Sequence, residues 1–337
     1  MVSIYYTVGP ASNLITKEMF LAGAHGVRQT FSYGTPQIQL DLAKRIWTAT
    51  EPMGIEPDII ADLEGGGYRL GNFINADGEH PAMTVSKDEV LKCVCKKEWS
   101  LKEGKALPIA DEQLFTELQV GDILIVGDGS AELEVIALSP DVQVRNRFDA
   151  TIESRRGLWR QSAQNIIEPI CLTLKDIEDL KHIAQHHEYS SVALSFVSSA
   201  DDIIQVRKIM EEAGTVKKVI AKIETKKAIE NIKSICEEAD EIMVARGDLE
   251  LAVSWKHLPG VVNLVVAQAV SAGKPFIMAT QVAEGMMHGN YLTRAESCDL
   301  WHWKQEGMSG VLLSRETCWG ERPVLTVERV RGILDVK

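Results

Sequence analysis

The sequence predicts an α/β fold: an eight-stranded (β/α)8 barrel with an all-β insert after its third strand. Three observations carry that prediction. Short apolar runs alternate with amphipathic helical segments along most of the chain, the alternation supplies eight strand-like runs, and it breaks once, between about residues 71 and 156. One barrel of about 250 residues plus an insert of about 90 fits the length of the chain.

The strand-like runs are SIYYTV (3–8), HGVRQTF (25–31), PDIIADL (57–63), SSVALSFV (190–197), KKVIAKIE (217–224), DEIMVARG (240–247), KPFIMAT (274–280) and MSGVLLS (308–314). Between them lie helical patterns at 13–23, 37–50, 175–187, 200–214, 226–239, 258–273 and 294–307. Gly214 and Gly273 stand where helix C-caps belong. No two strand-like runs are joined by a two-residue turn, so the strands are expected to be parallel and closed into a barrel of the TIM type.

Inside the break the pattern changes to alternating strands: AMTVS (82–86), VLKCVCK (90–96), DILIVGD (122–128), AELEVIAL (131–138) and VQVRNRF (142–148), punctuated by Gly, Asp and Pro. The expected division is a barrel of residues 1–70 and 157–337 and a β-rich domain of residues 71–156. Insertion after a barrel strand puts that domain at the C-terminal mouth, where it would act as a lid.

A net charge of −12 argues against a nucleic-acid or anionic-membrane binder, which needs a basic footprint. No run approaches the about 20 apolar residues of a membrane span, and the start MVSIYYTVGPAS reads as a strand entering a turn, not a signal peptide. The six cysteines show no zinc spacing and read as reduced thiols, so a cytoplasmic protein is expected.

The candidate chemistry lies at strand ends. In KIE (222–224), side chains two apart share a face, so Lys222 and Glu224 point together while Ile223 points away. The next strand ends in ARGDLE, which adds Asp248 after Arg246 and Gly247, and the strand after that offers the Thr280 hydroxyl. Two carboxylates from adjacent strands, with no His or Cys nearby in sequence, suit Mg²⁺ or Mn²⁺, which take hard oxygen ligands and leave positions for substrate oxygens. Taken singly, a Lys–Glu pair or a strand-end Thr is an ordinary structural feature; four such groups on three successive strand ends form a constellation.

The sequence resembles pyruvate kinase over nearly its whole length. TVGPAS (7–12), VRQTFSYGT (27–35), IVGDG (125–129), VALSFV (192–197), VIAKIE (219–224), EIMVARGDL (241–249), AGKPFIMATQ (272–281), LTRAESCD (292–299) and LLSRET (312–317) fall in that family's order. The resemblance implies that Glu224 and Asp248 hold the divalent metal. It implies that Lys222 stabilises charge on the transferring phosphoryl group and the enolate oxygen, and that Thr280 lies in the proton path. Arg28 and Arg69 resemble phosphate-holding arginines, and Arg156 stands near a family lysine that reaches the nucleotide. The backbone at Ala245, Arg246 and Gly247, with Asp248, would meet the substrate carboxylate, and Ser195 and Phe196 would support the pocket. The family's C-terminal regulatory domain has no counterpart after the eighth strand, so control by a sugar bisphosphate is not expected.

Departures from the family pattern cluster. The loop after the third strand, D-T-K-G-P-E-I-R in the family, reads D-L-E-G-G-G-Y-R at 62–69, which puts Glu64 where the family has Lys and Gly66 and Gly67 where it has Pro and Glu. At the family's monovalent-cation site the asparagine is Thr30 and the adjoining histidine is Tyr33, while Ser32 and Asp62 persist, leaving K⁺ dependence open. The family's V-D-D-G reads VGDG, and its K-G-V-N-L-P-G stretch is replaced by RGLWRQS (156–162).

Three functions follow. The first is a Mg²⁺-dependent phosphotransferase that acts on phosphoenolpyruvate and pyruvate through a metal-bound enolate, with ADP or another acceptor. The second is a metal-dependent aldolase, decarboxylase or lyase that uses a pyruvate enolate without nucleotide. The third is a non-catalytic relative that binds pyruvate, phosphoenolpyruvate or a partner protein. The expected small-molecule partner is an anionic α-keto acid or enol phosphate. Trp301 and Trp303 fall on different faces of their helix, so one suits the core and the other a homo-oligomer contact.

Overall fold

Eight parallel strands pair in sequence order and close on themselves: Ser3–Thr7, Gly26–Thr30, Asp58–Asp62, Ser191–Leu194, Lys218–Ile223, Glu241–Ala245, Phe276–Ala279 and Gly310–Leu313, the last returning to the first. This is the α/β closed barrel that the alternation predicts, with each observed strand inside its predicted run. The computed structural model describes residues 1–75, 77–127, 129–161 and 169–336. Asp128 of VGDG and Ser162 of RGLWRQS lie outside them.

Strand periodicity explains the barrel's two apolar layers. One set of alternating positions, Tyr5, Ile60, Ala193, Ile220, Met243, Ile277, Ala279 and Leu312, forms its own buried cluster. The other set, including Ile4, Ile59, Val192, Val219, Ile242 and Val311, packs with the helices in a larger core. Parallel strands buried on both faces are apolar throughout, which is why the runs read as continuous and not alternating.

Several helices start on the loops that leave the strands, held by capping residues. Thr35 accepts from the Ile38 amide ahead of Pro36–Thr50. Reciprocal capping boxes open three more: Thr173 with Asp176 for Leu174–Ala184, Ser199 with Asp202 for Ala200–Ala213, and Thr293 with Glu296 for Arg294–Gln305. Gly214 is the C-cap of its helix, its amide donating to Met210 O, and Gly273 has φ +67, open only at low cost to glycine.

One predicted helix is wrong as drawn. The segment 226–239 is not continuous: Lys226–Glu230 and Ile232–Glu238 are separated at Asn231, whose φ of −102° and ψ of 13° leave the helical basin. The Asn231 side chain reaches out of the helix, its Nδ2 donating to Ser198 O at 2.9 Å, while its backbone N–H still donates to Lys227 O. Conversely, the helix Arg246–Val253 starts directly at the end of the sixth strand, so Asp248 stands in a first helical turn, where the helix dipole favours an acid.

The chain divides into two compact units, Met1–Gly65 with Ile170–Lys337, and Gly66–Pro169. The second unit holds a six-stranded sheet and two smaller two-stranded ones around its own buried, mainly aliphatic core, and among the described residues a short α-helix, Glu112–Glu117, capped by Asp111. Its sheet includes Leu158–Gln161, paired antiparallel with Ile123–Val126. Trp303 is buried and Trp301 is 37% exposed, the division of faces expected of the pair.

Candidate active site at the C-terminal ends of the barrel strands

The inward columns of the barrel end in polar groups. Two residues beyond Ile60 is Asp62, two beyond Ala193 is Ser195, and two beyond Ile220 is Lys222. Each continues its strand's inward face by one step, so the period of two that fills the barrel with apolar side chains also aims these three at one another. Glu224, just past the end of the fifth strand at Ile223, adds one further step.

The Lys222 ammonium is the centre of the resulting cluster. Its Nζ donates to Ser195 Oγ at 2.7 Å and lies 3.0 Å from Glu224 Oε1 and 3.2 Å from Asp62 Oδ1. The Ser195 hydroxyl passes the bond on to Leu63 O at 2.8 Å. Glu224 Oε2 accepts from the Phe196 amide at 2.9 Å, and Phe196 holds a left-handed φ of 55° to present it. Arg28 Nη1 pairs with the second oxygen of Asp62 at 3.3 Å, while its buried Nε has no hydrogen-bond partner among the described residues.

Charge in the cluster is unbalanced. Burial alone would lower the Lys222 ammonium, but the Asp62 and Glu224 carboxylates outweigh it and hold the group above the usual lysine range. Glu224 is pushed up to about 7, first by burial and then by the neighbouring Asp248 charge, with Lys222 opposing. Lys222 is shared between two carboxylates, so it cannot neutralise Glu224 fully. Asp62, Glu224 and Asp248 stand against Arg28 and Lys222, three carboxylates against two cations.

Thr280 follows the seventh strand with φ +68, and Gln281 follows at +52. Its side chain lies against the Cα of Gly247, where an added Cβ would come 3.1 Å from Thr280 Cγ2. Ala245 is buried at the end of the sixth strand, and the Arg246 guanidinium grips the Thr280 carbonyl, Nη2 donating at 2.7 Å. The candidates Lys222, Glu224, Asp62, Ser195, Phe196 and Arg28 thus form one connected cluster, and Ala245, Arg246 and Gly247 adjoin Thr280.

Ser32 lies half-buried in the loop after the second strand. Arg69 and Arg156 belong to the second unit, where Arg69 bridges to Gly157 and Arg156 pairs with Glu153. Among the described residues no three His, Cys, Asp or Glu side chains converge as a metal-ligand set.

The family profile described as "Pyruvate kinase, barrel domain" matches residues 1–327. The chain belongs to the pyruvate kinase family. It is 31% identical over 338 residues to a pyruvate kinase of Agrobacterium vitis, covering 98% of this chain and 68% of that one. A pyruvate kinase of Mycobacterium intracellulare is 31% identical over 341 residues, covering 98% and 69%. One from Trypanoplasma borreli is 31% identical over 332 residues, covering 96% and 64%.

Against this family background, two arrangements escaped the sequence reading. Asp176, fully buried, accepts from the amides of Glu64 and Gly65 at 3.1 and 3.3 Å, and so holds the exit of the third strand. In the sequence Asp176 stands only near the start of the 175–187 helical pattern, and nothing local points to its bonds with those amides. The other is the Arg246 side chain, which was assigned a backbone role only; nothing local in ARGDLE says where a guanidinium will reach.

Proposed function

We propose that this member of the pyruvate kinase family moves a phosphoryl group between phosphoenolpyruvate and an acceptor such as ADP, with the enolate of pyruvate handled beside Lys222. The observation that carries the reading is the buried Lys222 ammonium, held between Asp62 and Glu224 in a cluster that still has a carboxylate in excess.

The donor set fits a divalent cation. Glu224 and Asp248 supply hard oxygens, the raised Glu224 carboxyl marks where positive charge is wanted, and Mg²⁺ is commonly held by one or two carboxylates with substrate oxygens completing its shell. When bound, Mg²⁺ or Mn²⁺ would supply Lewis-acid charge to substrate oxygens. The residues fit K⁺ less well: both oxygens of Asp62 face cations, and Thr30 stands in place of the family's asparagine, so no step is assigned to it.

The chain's own groups divide the remaining work. Lys222 is a fixed point charge for the oxygen that gains negative charge when the phosphoryl group leaves. Ser195 and Asp62 fix the position of that ammonium. Arg28 contributes a second cation for a phosphoryl oxygen, with Arg69 and Arg156 assigned to phosphates or nucleotide by resemblance. Ala245, Arg246 and Gly247 offer backbone to the substrate carboxylate, Phe196 supports the pocket, and the Thr280 hydroxyl relays the proton to the enolate carbon.

The test is proton exchange. Pyruvate incubated with the protein and Mg²⁺ in D₂O should lose its methyl proton signal, and phosphoenolpyruvate with ADP should yield ATP. Bound pyruvate without exchange overturns the enolate chemistry. Exchange without ATP replaces phosphoryl transfer to ADP by an enolate lyase or aldolase reaction.

A further inference from the structure

The Arg246 guanidinium is committed to the exit of the neighbouring strand. Its Nε donates to Ala279 O at 3.2 Å and Thr280 O at 3.1 Å, and Nη2 donates to Thr280 O at 2.7 Å. On its other side Nη1 pairs with Asp299 Oδ2 at 2.6 Å. The second Asp299 oxygen accepts the indole N–H of Trp303, also at 2.6 Å. Trp303 is buried, so a continuous polar chain runs from the outer helix Arg294–Gln305 to the backbone that carries Thr280.

That backbone needs holding. Thr280 and Gln281 are consecutive non-glycine residues at φ +68 and +52, a region that costs free energy for L side chains and persists only where surroundings over-determine it. The next residue after Arg246 is Gly247, whose missing Cβ makes room for Thr280 Cγ2. One dipeptide therefore grips the Thr280 carbonyl and admits its side chain. A guanidinium suits the grip because its planar fork serves several acceptors at once while meeting a carboxylate.

We infer that Arg246, backed by Asp299 and Trp303, is a positioning residue that fixes the Thr280 hydroxyl for proton transfer. The inference rests on the reading of Thr280 as the proton relay in the proposed reaction. It gives Trp303 and Asp299, neither of them among the candidate site residues, a defined effect on the chemistry.

The test uses the full chain with Asp299→Asn, Trp303→Phe and Arg246→Lys. Two readouts are taken: pyruvate methyl exchange in D₂O, resolved into kcat and KM, and hydrogen exchange of the backbone amides at 279–282. Asp299→Asn is expected to lower kcat about tenfold and to speed amide exchange by a similar factor, with KM within about twofold; Trp303→Phe should do the same about threefold. Arg246→Lys, which keeps the charge but loses the fork, should resemble Asp299→Asn. If Asp299→Asn fails to fold, Trp303→Phe carries the test: it removes the N–H donor and keeps an aromatic side chain in the core, with the stability cost of the smaller ring read separately by urea unfolding.

Unchanged amide exchange at 279–282, or amide exchange that rises while kcat holds, overturns the positioning role. So does a parallel change of kcat and KM. Absence of methyl exchange in the unmodified protein instead overturns the proposed function and the Thr280 relay with it. In that event the amide readout still decides whether the chain of Trp303, Asp299 and Arg246 restrains the segment.

Discussion

Asp62 and Lys222 meet 3.2 Å apart although their strands, the third and the fifth, are not neighbours in the barrel. The fourth strand lies between them, and its Ser195 hydroxyl takes a bond from the same ammonium at 2.7 Å while donating to Leu63 O. Three strand ends are thus tied through one nitrogen. The arrangement makes Lys222 a structural keystone as well as a candidate for the chemistry.

Lys222→Met should therefore show two effects. Loss of the charge facing the developing oxyanion should reduce methyl exchange by about 100-fold or more. Loss of the cation shared by Asp62 and Glu224 should destabilise the fold by about 3–5 kcal/mol, because buried carboxylates are left unpaired. Urea unfolding of the variant checks the second effect separately. Full stability in Lys222→Met would mean that the ammonium is not the tie between these strand ends.

Mg²⁺ binding should depend on pH through Glu224. The folded carboxyl sits at about 7 against an ordinary 4.5, so the folded state holds its proton more tightly than the unfolded chain does. The stability this gives is fully present below the ordinary value and is lost as pH rises to about 7. A bound ion must displace that proton. The rise in Tm on adding Mg²⁺ should therefore be small at about pH 6 and large at about pH 8, and Glu224→Gln should abolish the dependence. A Mg²⁺-induced shift that is equal at both pH values would contradict the assignment of Glu224 as a ligand.

Asp176→Ala should cost about 2–4 kcal/mol, since it removes the acceptor for the Glu64 and Gly65 amides and for the Thr173 amide and hydroxyl together. The midpoint of urea denaturation reads the cost. Amide exchange at 63–65 should accelerate selectively, and unchanged protection there would show that the loop is held by other groups.

Two glycine replacements should move stability in opposite directions. Gly65 has φ +67, and a Cβ there would fall 2.7 Å from the Phe196 ring, so Gly65→Ala should destabilise by about 1–3 kcal/mol. Gly260 lies inside the helix Leu258–Ser271 with nothing within 4 Å of an added Cβ, so Gly260→Ala should stabilise by about 0.5–1 kcal/mol. Thermal unfolding of the two variants gives both signs.

Much of this was legible in local patterns. The barrel strands could be placed because parallel strands buried on both faces leave continuous apolar runs, and the helices between them because their apolar residues recur at helical spacing. Lys222 and Glu224 could be paired because a strand's period of two is local geometry. The break at Asn231 was not legible, since the apolar spacing continues through it and the Ser198 carbonyl that captures its side chain comes from the preceding strand–helix unit.

The sequence by itself determined the barrel, the Lys222–Glu224 pair and the family to which the chain belongs, because each rests on periodicity or on short contiguous motifs. Only the tertiary structure decided that Asp62, Ser195 and Lys222 share one cluster, and that Arg246 reaches Asp299 and the Thr280 carbonyl. The physical reason is closure. A long side chain's partner is set by which strand ends the barrel brings within a few ångströms, and that distance is a property of the whole ring of eight strands.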